Sequence, residues 1–314
     1  MEAKNLDDFV FIYEKFAASE NKSKRTIEGT AAAVRQFHKF LGSSLDVHEV
    51  KAEDLREYIR ALQERPRWSN HPTIKPKDTR LSPHSIASYV RSIRAFWSWL
   101  EREDFIDENP MERVKPPKAP RKIVTTLTRE QVSQLLQAIP NKDSKGHRDR
   151  AIVVTLYGTG LRIGELLGLR LGDLNFDSGQ IKVMGKGAKE RTVFMSPTVF
   201  KVLFKYVHRW RPGVTTDYVF VHSNGRPLTR FYFAHRLQAY RKKAGINGRR
   251  CSPHVLRHSF SVEYLRNGAD TFTLQRILGH STLDMTRHYA EISDSDVEIK
   301  QKTFSPAEKL IVNV

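Results

Sequence analysis

The chain of 314 residues has a single cysteine, Cys251, and so cannot form an internal disulfide. This composition fits a reducing cytosol and excludes the zinc and redox sites that need several cysteines. No apolar run reaches the ~18–20 residues that a membrane-spanning helix requires. The first twenty residues mix acidic and basic side chains with apolar ones, so neither a signal peptide nor a transit peptide is visible. We therefore expect a cytoplasmic protein with no membrane-spanning segment.

Acidic residues are scarce relative to basic ones. The sequence has 53 Lys and Arg against 35 Asp and Glu, which gives a formal net charge of +18. Such a surplus indicates a polyanionic partner, either a nucleic acid or an acidic membrane surface. A hydrophobic fraction of 39% and an aromatic fraction of 10% exclude a wholly disordered basic chain. The length is sufficient for about two folded domains.

The positive charge is unevenly distributed along the chain. Residues 1–116 contain 20 basic and 19 acidic residues, whereas residues 117–314 contain 33 and 16. A proline-rich basic stretch from Lys115 to Lys122 lies at this change, and it can form neither a helix nor a sheet ladder. We therefore predict two domains, 1–114 and 126–314, joined by a linker over residues 115–125.

Apolar residues in the first domain recur at three- and four-residue steps, which predicts an all-helical domain. The predicted helices are Leu6–Phe16, Thr26–Leu41, Leu55–Leu62 and 83–104, the last with Ser82 as its N-cap. Between the last two helices, Arg65–Leu81 is rich in Pro, Lys and Arg and lacks periodicity, so we predict a long basic loop. A solvated connector and a nucleic-acid contact are both compatible with it.

The second domain mixes strands and helices. Alternating or β-branched segments between glycine turns predict a small three-stranded antiparallel sheet of Leu174–Phe176, Gln180–Met184 and Arg191–Met195, with Lys186 at a hairpin tip. Helical patterns predict a helix from the Thr128 capping box through Leu136, and then Asp149–Leu156, Pro197–Arg209, Thr229–Lys243, Pro253–Arg266, Ala269–Leu278 and Ser281–Tyr289. The predicted fold class is mainly α (α+β).

No metal or nucleotide motif accompanies this basic domain. There is no HExxH sequence, and the tail acids Asp294, Asp296 and Glu298 have no neighbouring His or Cys. A phosphate-binding loop is also excluded. Gly179 and Gly185 are separated by five residues rather than four, and no Ser or Thr follows the lysine.

Cationic and proton-transferring side chains recur instead. His254 and Arg257 share one face of a predicted helix, and Arg162 and Glu165 follow a glycine turn with the same spacing. An Arg binds two phosphate oxygens, and a His transfers protons near neutral pH. Taken singly, each pair also fits a solvated basic face or a surface salt bridge, and His280 fits a histidine at a helix end.

Taken in order, these segments resemble the catalytic domain of the tyrosine recombinases, also called the phage integrase family. The segments are TGLRIGEL around Arg162, the Gly-Lys-Gly hairpin at Lys186, SPHVLRHSF with His254 and Arg257, and LGHSTLDMTRHY, which contains His280 and ends at Tyr289. The resemblance covers roughly residues 126–292, and the helical segment before it is similar to that family's core-binding domain.

The resemblance implies a covalent mechanism that uses neither a metal nor a cofactor. Tyr289 would attack a DNA phosphodiester to form a 3′-phosphotyrosyl bond, while Arg162 and Arg257 hold the phosphate oxygens. Lys186 would protonate the leaving 5′ oxygen. The family further implies an acid–base role towards the tyrosine for His254, a hydrogen bond to the phosphate for His280, and orientation of the arginine by Glu165.

The implied partner is double-stranded DNA with specific recombination sites, and no membrane partner is expected. Because recombination joins two duplexes, the resemblance implies a homotetramer on DNA. The terminal segment Pro306–Val312 would dock on a neighbouring protomer or pack on its own domain. The first helix begins by about Leu6, so we expect the simpler two-domain, Xer-like architecture without a further arm-binding domain.

Site-specific recombination is the favoured function, and the sequence does not distinguish integration, excision and resolution. A type IB topoisomerase and a non-catalytic DNA-binding regulator on the same fold remain alternatives. Relaxation of plasmids that lack a specific site would indicate the topoisomerase. Biological activity that survives Tyr289→Phe would indicate the regulator.

Overall fold

A computed structural model describes residues 5–42, 46–67, 69, 77–118, 120, 125–185, 190–248, 251–280, 282 and 289. The chain divides into two compact units, Met1–Lys122 and Ile123–Val314, which we call the N-terminal and C-terminal units. The predicted linker, 115–125, spans the division between them. None of the helices in the described ranges is both long and apolar enough to cross a membrane.

The N-terminal unit is built on helices that agree with the predicted ones. They are α1 (Leu6–Ser19), α2 (Lys24–Leu41), α3 (Ala52–Glu64) and α4 (Pro83–Arg102). As predicted, the hydroxyl of Ser82 caps α4, accepting a hydrogen bond from the Ser85 amide at 3.1 Å, and Pro83 occupies the first turn. The buried faces of these helices form one core with the aromatic residues of α4 at its centre.

The 65–81 segment has more structure than its sequence indicated. Pro66–Arg67 (β1) pairs antiparallel with Lys77–Arg80 (β2). At the base of this pair, Arg65 donates hydrogen bonds to Gln36 Oε1 at 2.9 Å and to Tyr89 Oη at 3.0 Å. A two-residue strand is too short to show alternation, so a propensity pattern predicts only a loop.

The C-terminal unit contains both helices and a sheet. Its helices are α5 (Arg129–Ala138), α6 (Ser144–Thr159), α7 (Ile163–Leu167), α8 (Pro197–Lys205), α9 (Arg230–Lys243), α10 (Pro253–Arg266) and α11 (Thr271–Leu278). Its strands are β3 (Leu174–Asn175), β4 (Gln180–Met184) and β5 (Glu190–Phe194). These bounds confirm the mainly α fold class with a small antiparallel sheet. The predicted Ser281–Tyr289 helix and the tail beyond it fall almost wholly outside the described residues.

The sheet has the strand order β3-β4-β5, and every described pair is antiparallel. Ile181 pairs with Val193, and Val183 pairs with Arg191, so these four side chains point to the same face. Three of them are apolar and buried against the main core. The inward face of β5 therefore also carries an arginine.

Two central helices, α6 and α10, pack against each other and position the site. Both are buried on most sides rather than along one stripe, as expected for helices inside a domain. α6 ends at Gly160, and α10 begins at Pro253 after the N-cap Ser252. The end of α6, the first half of α10 and the end of α11 meet at one place.

Candidate active site

Arg162 lies in the tight turn between α6 and α7. Gly160 ends α6 with a φ of 65°, and a Cβ at this position would lie 2.4 Å from the Phe260 ring. Only glycine suits both the left-handed backbone and the close packing. The turn leaves 36% of the Arg162 side chain exposed, and its Nη1 donates to Glu165 Oε1 at 2.9 Å and to the Leu278 carbonyl at 3.3 Å.

Arg257 is almost fully buried in α10, with 4% of the residue exposed. Its Nη1 donates to the Gly160 carbonyl at 2.6 Å, and its Nη2 donates to the Leu278 carbonyl at 2.9 Å. Burial, followed by the charge of Arg162, lowers the pKa of the Arg257 guanidinium to about 10, which still leaves it charged at neutral pH. Both arginines therefore reach the same carbonyl oxygen, that of Leu278.

His280 stands directly beside this arginine pair. It follows Gly279, which ends α11 with a φ of 62°, and its Nε2 lies 2.9 Å from Arg257 Nη2. Burial, followed by the charges of Arg257 and Arg162, lowers the pKa of His280 to about 4. The ring is therefore neutral at pH 7, and its Nε2 accepts the hydrogen bond from the guanidinium.

Glu165 connects Arg162 to the sheet. Its carboxylate accepts hydrogen bonds from Arg191 Nη1 at 3.1 Å and Nη2 at 2.8 Å, and from the Arg162 backbone amide at 2.8 Å. Burial alone would raise the pKa of Glu165, but the hydrogen bonds from Arg191 and Arg162 outweigh it, and the pKa is lowered. Arg191 Nε also donates to the Ile277 carbonyl at 3.1 Å, so β5 is tied to both α7 and α11.

Tyr289 completes the cluster. Only 5% of the residue is exposed, and its ring packs in an apolar cluster that includes Phe260 and Leu278. Its Oη lies 2.5 Å from Nδ1 of His258, and its ring lies nearly parallel to that of His280 at a centroid distance of 6.5 Å. The tyrosine is thus next to the residues that surround the arginine pair.

The two remaining predicted residues differ in how they are placed. His254 is exposed in the first turn of α10. Loss of water, followed by the charges of Arg257 and Arg162, lowers its pKa, so it lies within electrostatic reach of both arginines. Lys186, which we predicted at the tip of the β4–β5 hairpin, lies outside the described residues.

This arrangement suits chemistry on a phosphodiester. Two adjacent guanidiniums form a concentrated positive site with several N–H donors, which matches the oxygens of a phosphate. A phenol and two imidazoles lie beside them, so a nucleophile and proton-transferring groups are present at the same site.

Comparison with known proteins identifies the family. The family model described as "Phage integrase family" matches residues 125–296, which is more than half of the chain. The chain belongs to the phage integrase family. Tyrosine recombinase XerD of Staphylococcus haemolyticus is 35% identical over 233 residues, covering 73% of this integrase-family chain and 79% of the relative. XerD of Listeria monocytogenes is 35% identical over 230 residues, covering 72% and 77%.

Solved structures show the same fold. The crystal structure of XerA recombinase matches with a TM-score of 0.51 at 26% identity, covering 96% of this chain and 99% of that chain. The Tn1549 transposon integrase in complex with a circular intermediate DNA matches with a TM-score of 0.73 at 21% identity, covering 95% and 99%. The predicted family and fold class of this integrase-family protein are therefore confirmed.

Two residues of the site were absent from the sequence-based set. Arg191 lies on the inward face of β5, where it binds Glu165. The alternation of side chains along β5 already places an arginine at an inward position, and a charged residue there indicates a buried partner. His258 lies four residues after His254 on α10, and its contact with Tyr289 joins positions 31 residues apart. No local pattern predicts a contact of that range.

Proposed function

We propose that this integrase-family protein is a site-specific tyrosine recombinase in which Tyr289 cleaves and rejoins duplex DNA through a covalent 3′-phosphotyrosyl bond. Recombinase chemistry agrees with the family and with relatives named tyrosine recombinase. The observation that carries the residue assignment is the convergence of Arg162 and Arg257 on the Leu278 carbonyl, with Tyr289 and His280 alongside.

The arginine pair would hold the scissile phosphate. Arg257 is fixed by two backbone carbonyls and His280, so it is oriented before DNA arrives. Arg162 is more exposed and presents its guanidinium to the incoming phosphate. Negative charge grows on the non-bridging oxygens in the transition state, and preorganised donors of this kind stabilise it.

The reaction exchanges one ester bond for another. Tyr289 Oη forms a bond to phosphorus as the bond from phosphorus to the 5′ oxygen breaks, and that oxygen leaves with the electron pair and takes a proton. We assign this proton to Lys186, which lies in sequence between β4 and β5. Arg191 of β5 binds the Glu165 carboxylate, which supports a position of the following and preceding chain near the site. His280 contributes a neutral ring beside Arg257, and His254 an exposed imidazole near both arginines.

Duplex DNA is the partner in this proposal. The net charge of +18 supports it, and the Tn1549 integrase of similar fold was solved with DNA. We extend the proposal to the predicted domains, with DNA contacts from both 1–114 and 126–314. We also extend it to a homotetramer whose Pro306–Val312 segment docks in trans or in cis. A cytoplasmic location completes the proposal, because a single cysteine cannot form an internal disulfide and fits a reducing compartment.

The proposal is tested by trapping the covalent bond. The full chain is used to select DNA from a randomised pool, and the selected duplex is nicked at successive positions so that a cleaved strand diffuses away. We expect a denaturation-resistant protein–DNA adduct with the native chain and none with Tyr289→Phe, while DNA binding is retained. Tyr264→Phe, which alters a partly buried tyrosine on α10, is the matched control and should still form the adduct.

An adduct that persists in Tyr289→Phe would contradict the assignment of the nucleophile. Relaxation of a supercoiled plasmid that lacks the selected sequence would favour a topoisomerase instead. Specific binding without an adduct at any nick position would favour a non-catalytic regulator.

A further inference from the structure

The imidazole that contacts the tyrosine hydroxyl belongs to His258. This residue follows Arg257 on α10, and its Nδ1 lies 2.5 Å from Tyr289 Oη, with the two ring centroids 5.5 Å apart and the planes at 47°. The neutral tautomer with its proton on Nε2 leaves Nδ1 as an acceptor, and in that tautomer the tyrosine hydroxyl donates this hydrogen bond. In that tautomer the contact joins a proton acceptor to the hydroxyl that would attack DNA.

Tyr289 needs such an acceptor because its surroundings oppose ionisation. Burial raises the pKa of the Tyr289 phenol above its ordinary value, and the charge of Arg257 offsets this only in part. The hydroxyl therefore keeps its proton near neutral pH. A protonated phenol is a weak nucleophile, so attack on phosphorus requires that the proton leave as the new bond forms.

The other two imidazoles of the site are less suited to take this proton. His280 Nε2 accepts its hydrogen bond from Arg257, and the pKa of about 4 makes that ring a poor base. His254 is exposed at the start of α10, and the described residues show no hydrogen bond between it and Tyr289. Among the described residues, His258 is the imidazole in contact with the hydroxyl.

We propose that His258 is the general base for Tyr289, with Nδ1 receiving the phenol proton as Oη bonds to phosphorus. This inference rests on the proposed role of Tyr289 as nucleophile. In cleavage the Oη–H bond breaks and His258 becomes an imidazolium, while the Oη–P bond forms, the bond from phosphorus to the 5′ oxygen breaks, and that oxygen leaves with the electron pair and takes a proton from Lys186, to which the 5′ hydroxyl returns it in rejoining. In rejoining, the imidazolium returns the same proton to Oη as the 5′ hydroxyl displaces it, so protons and electrons balance over the cycle.

The first experiment distinguishes a residue that accepts the proton of Tyr289 from one that donates a proton to the leaving 5′ oxygen. Rates of adduct formation are measured with the selected duplex and with the same duplex carrying sulfur in place of the bridging 5′ oxygen, since a thiolate leaves without a proton. We expect His258→Asn to slow adduct formation by about 10²–10⁴-fold on both substrates. A Lys186→Ala variant should be slow on the oxygen substrate and restored on the sulfur substrate. If sulfur also restores His258→Asn, or if His258→Asn is as fast as the native chain, the inference is wrong.

The second experiment asks whether the defect lies in removing the phenol proton. A fluorinated tyrosine, whose phenol is more acidic, is introduced at position 289 in the native chain, in His258→Asn and in His254→Asn. We expect the fluorinated ring to recover most of the rate lost in His258→Asn, which a merely misfolded or displaced site would not show. Recovery in His254→Asn but not in His258→Asn would transfer the role to His254 and overturn the inference.

The two proposals can fail separately. Loss of the adduct in Tyr289→Phe, together with a native rate in His258→Asn, would support Tyr289 as the nucleophile and contradict His258 as the base. An adduct in Tyr289→Phe would remove the nucleophile itself, whatever the His258 variants do. DNA binding is measured for each variant to show that the chain is folded and occupies the DNA.

Discussion

The N-terminal unit is held together by aromatic rings, whereas the C-terminal unit also buries charges. In the first, Tyr13, Phe96 and Trp99 make mutual edge or tilted contacts with ring centroids 5.2–5.7 Å apart. In the second, Arg148, Asp149 and Arg257 are each at most 4% exposed. No Lys, Arg, Asp or Glu among the described residues of the N-terminal unit is buried to that degree.

The two units therefore depend on different kinds of interaction for their stability. Burial of aromatic area stabilises the N-terminal unit, and aromatic rings do not need charged partners when they are buried. A buried charge is costly unless partners surround it, so the C-terminal unit needs many specific hydrogen bonds to hold its charged groups. Part of this cost arises at the candidate site, because Arg257 could hold a phosphate in the proposed role only if its guanidinium stays charged and fixed. The C-terminal unit should therefore be the more sensitive to single polar substitutions.

The largest expected effect comes from neutralising Asp149. Its carboxylate accepts hydrogen bonds from Arg148 Nε at 2.9 Å, from Tyr240 Oη at 2.8 Å and from Arg236. Asp149→Asn leaves two arginines without their counter-charge, and we expect a loss of about 3–5 kcal/mol in the free energy of unfolding of the C-terminal unit. Urea titration of the full chain, followed by thiol labelling of buried Cys251, measures that unit.

The matched substitution in the N-terminal unit is Glu14→Gln. Glu14 pairs with Arg35 at 3.1 Å on the surface, and exposed pairs of this kind contribute about 0–1 kcal/mol. In a Trp210→Phe background the remaining tryptophans, Trp68, Trp97 and Trp99, all belong to the N-terminal unit, so their fluorescence reports that unit. Equal losses in the two variants would show that buried charge does not distinguish the units.

A smaller effect is expected at the helix ends. The left-handed turns after α1 and α4 of the N-terminal unit hold the exposed side chains of Asn21 and Asp104, whereas the turn after α6 holds Gly160. Gly160→Ala adds backbone strain of about 1–2 kcal/mol and an overlap with the Phe260 ring costing a further 1–3 kcal/mol, by order of magnitude. Gly245→Ala, at a φ of 68° with no described atom within 4 Å of the added Cβ, should show the strain alone. The two variants are compared by their urea midpoints, measured through Cys251 labelling. Equal losses of stability would show that the overlap with Phe260 contributes nothing.

Local chemistry explains why so much of the fold could be predicted. The β4 strand at Gln180–Met184 and the α10 helix at Pro253–Arg266 have the predicted bounds, and Thr128 and Gln131 form the predicted capping box. Each of these features depends on residues close in sequence. The β1–β2 pair was not predicted, because its strands are short and are held by Arg65 through contacts with α2 and α4.

The site was less predictable for the same reason. The family motifs indicated Arg162, Glu165, Arg257, His280 and Tyr289, and the structure brings these residues together. The links between them are tertiary: Arg191 reaches Glu165 across 26 residues, and His258 reaches Tyr289 across 31. Such contacts depend on how β5 and α10 dock on the rest of the unit, which no short pattern encodes.

Arginine geometry gives the next prediction. Arg191 makes two parallel hydrogen bonds to Glu165, and a lysine cannot reproduce them. We expect Arg191→Lys to slow adduct formation at saturating DNA by about 10-fold or more, because Arg162 and the end of α11 lose their alignment. DNA affinity should change less than the rate.

Arg94 supplies the control from the N-terminal unit. Its Nη2 donates to the carbonyls of Met111 at 3.3 Å and Val114 at 2.6 Å, both of which belong to its own unit. Arg94→Lys should lower the stability of its own unit and leave the rate at saturating DNA unchanged. Equal slowing by the two variants would mean that Arg191 does not act through alignment of the site.

The smallest expected effect is a difference in pH response. In the C-terminal unit, burial lowers the pKa of His147, His222, His254 and His280, the last to about 4. The unfolded chain binds these protons from about pH 6.5 downwards, and the folded unit binds them less readily because its pKa values are lower, so the stability of this unit falls as the pH drops from 7.5 to 5. In the N-terminal unit, the hydrogen bond that the His48 ring donates to the Asp46 carboxylate raises the pKa of His48, so this residue stabilises the folded unit more as the pH drops.

A lower pH should therefore change the stability of the two units differently. From pH 7.5 to 5 we expect the C-terminal unit to lose about 1–2 kcal/mol, by order of magnitude, and the N-terminal unit to lose none through His48. Urea titrations at both pH values, with Cys251 labelled by a disulfide reagent that reacts at either pH, measure the C-terminal unit, and tryptophan fluorescence in the Trp210→Phe background measures the N-terminal unit. His280→Gln should reduce the pH dependence of the C-terminal unit, because it removes the most strongly shifted of these histidines. A C-terminal unit equally stable at both pH values would show that these imidazoles are not held neutral by the fold.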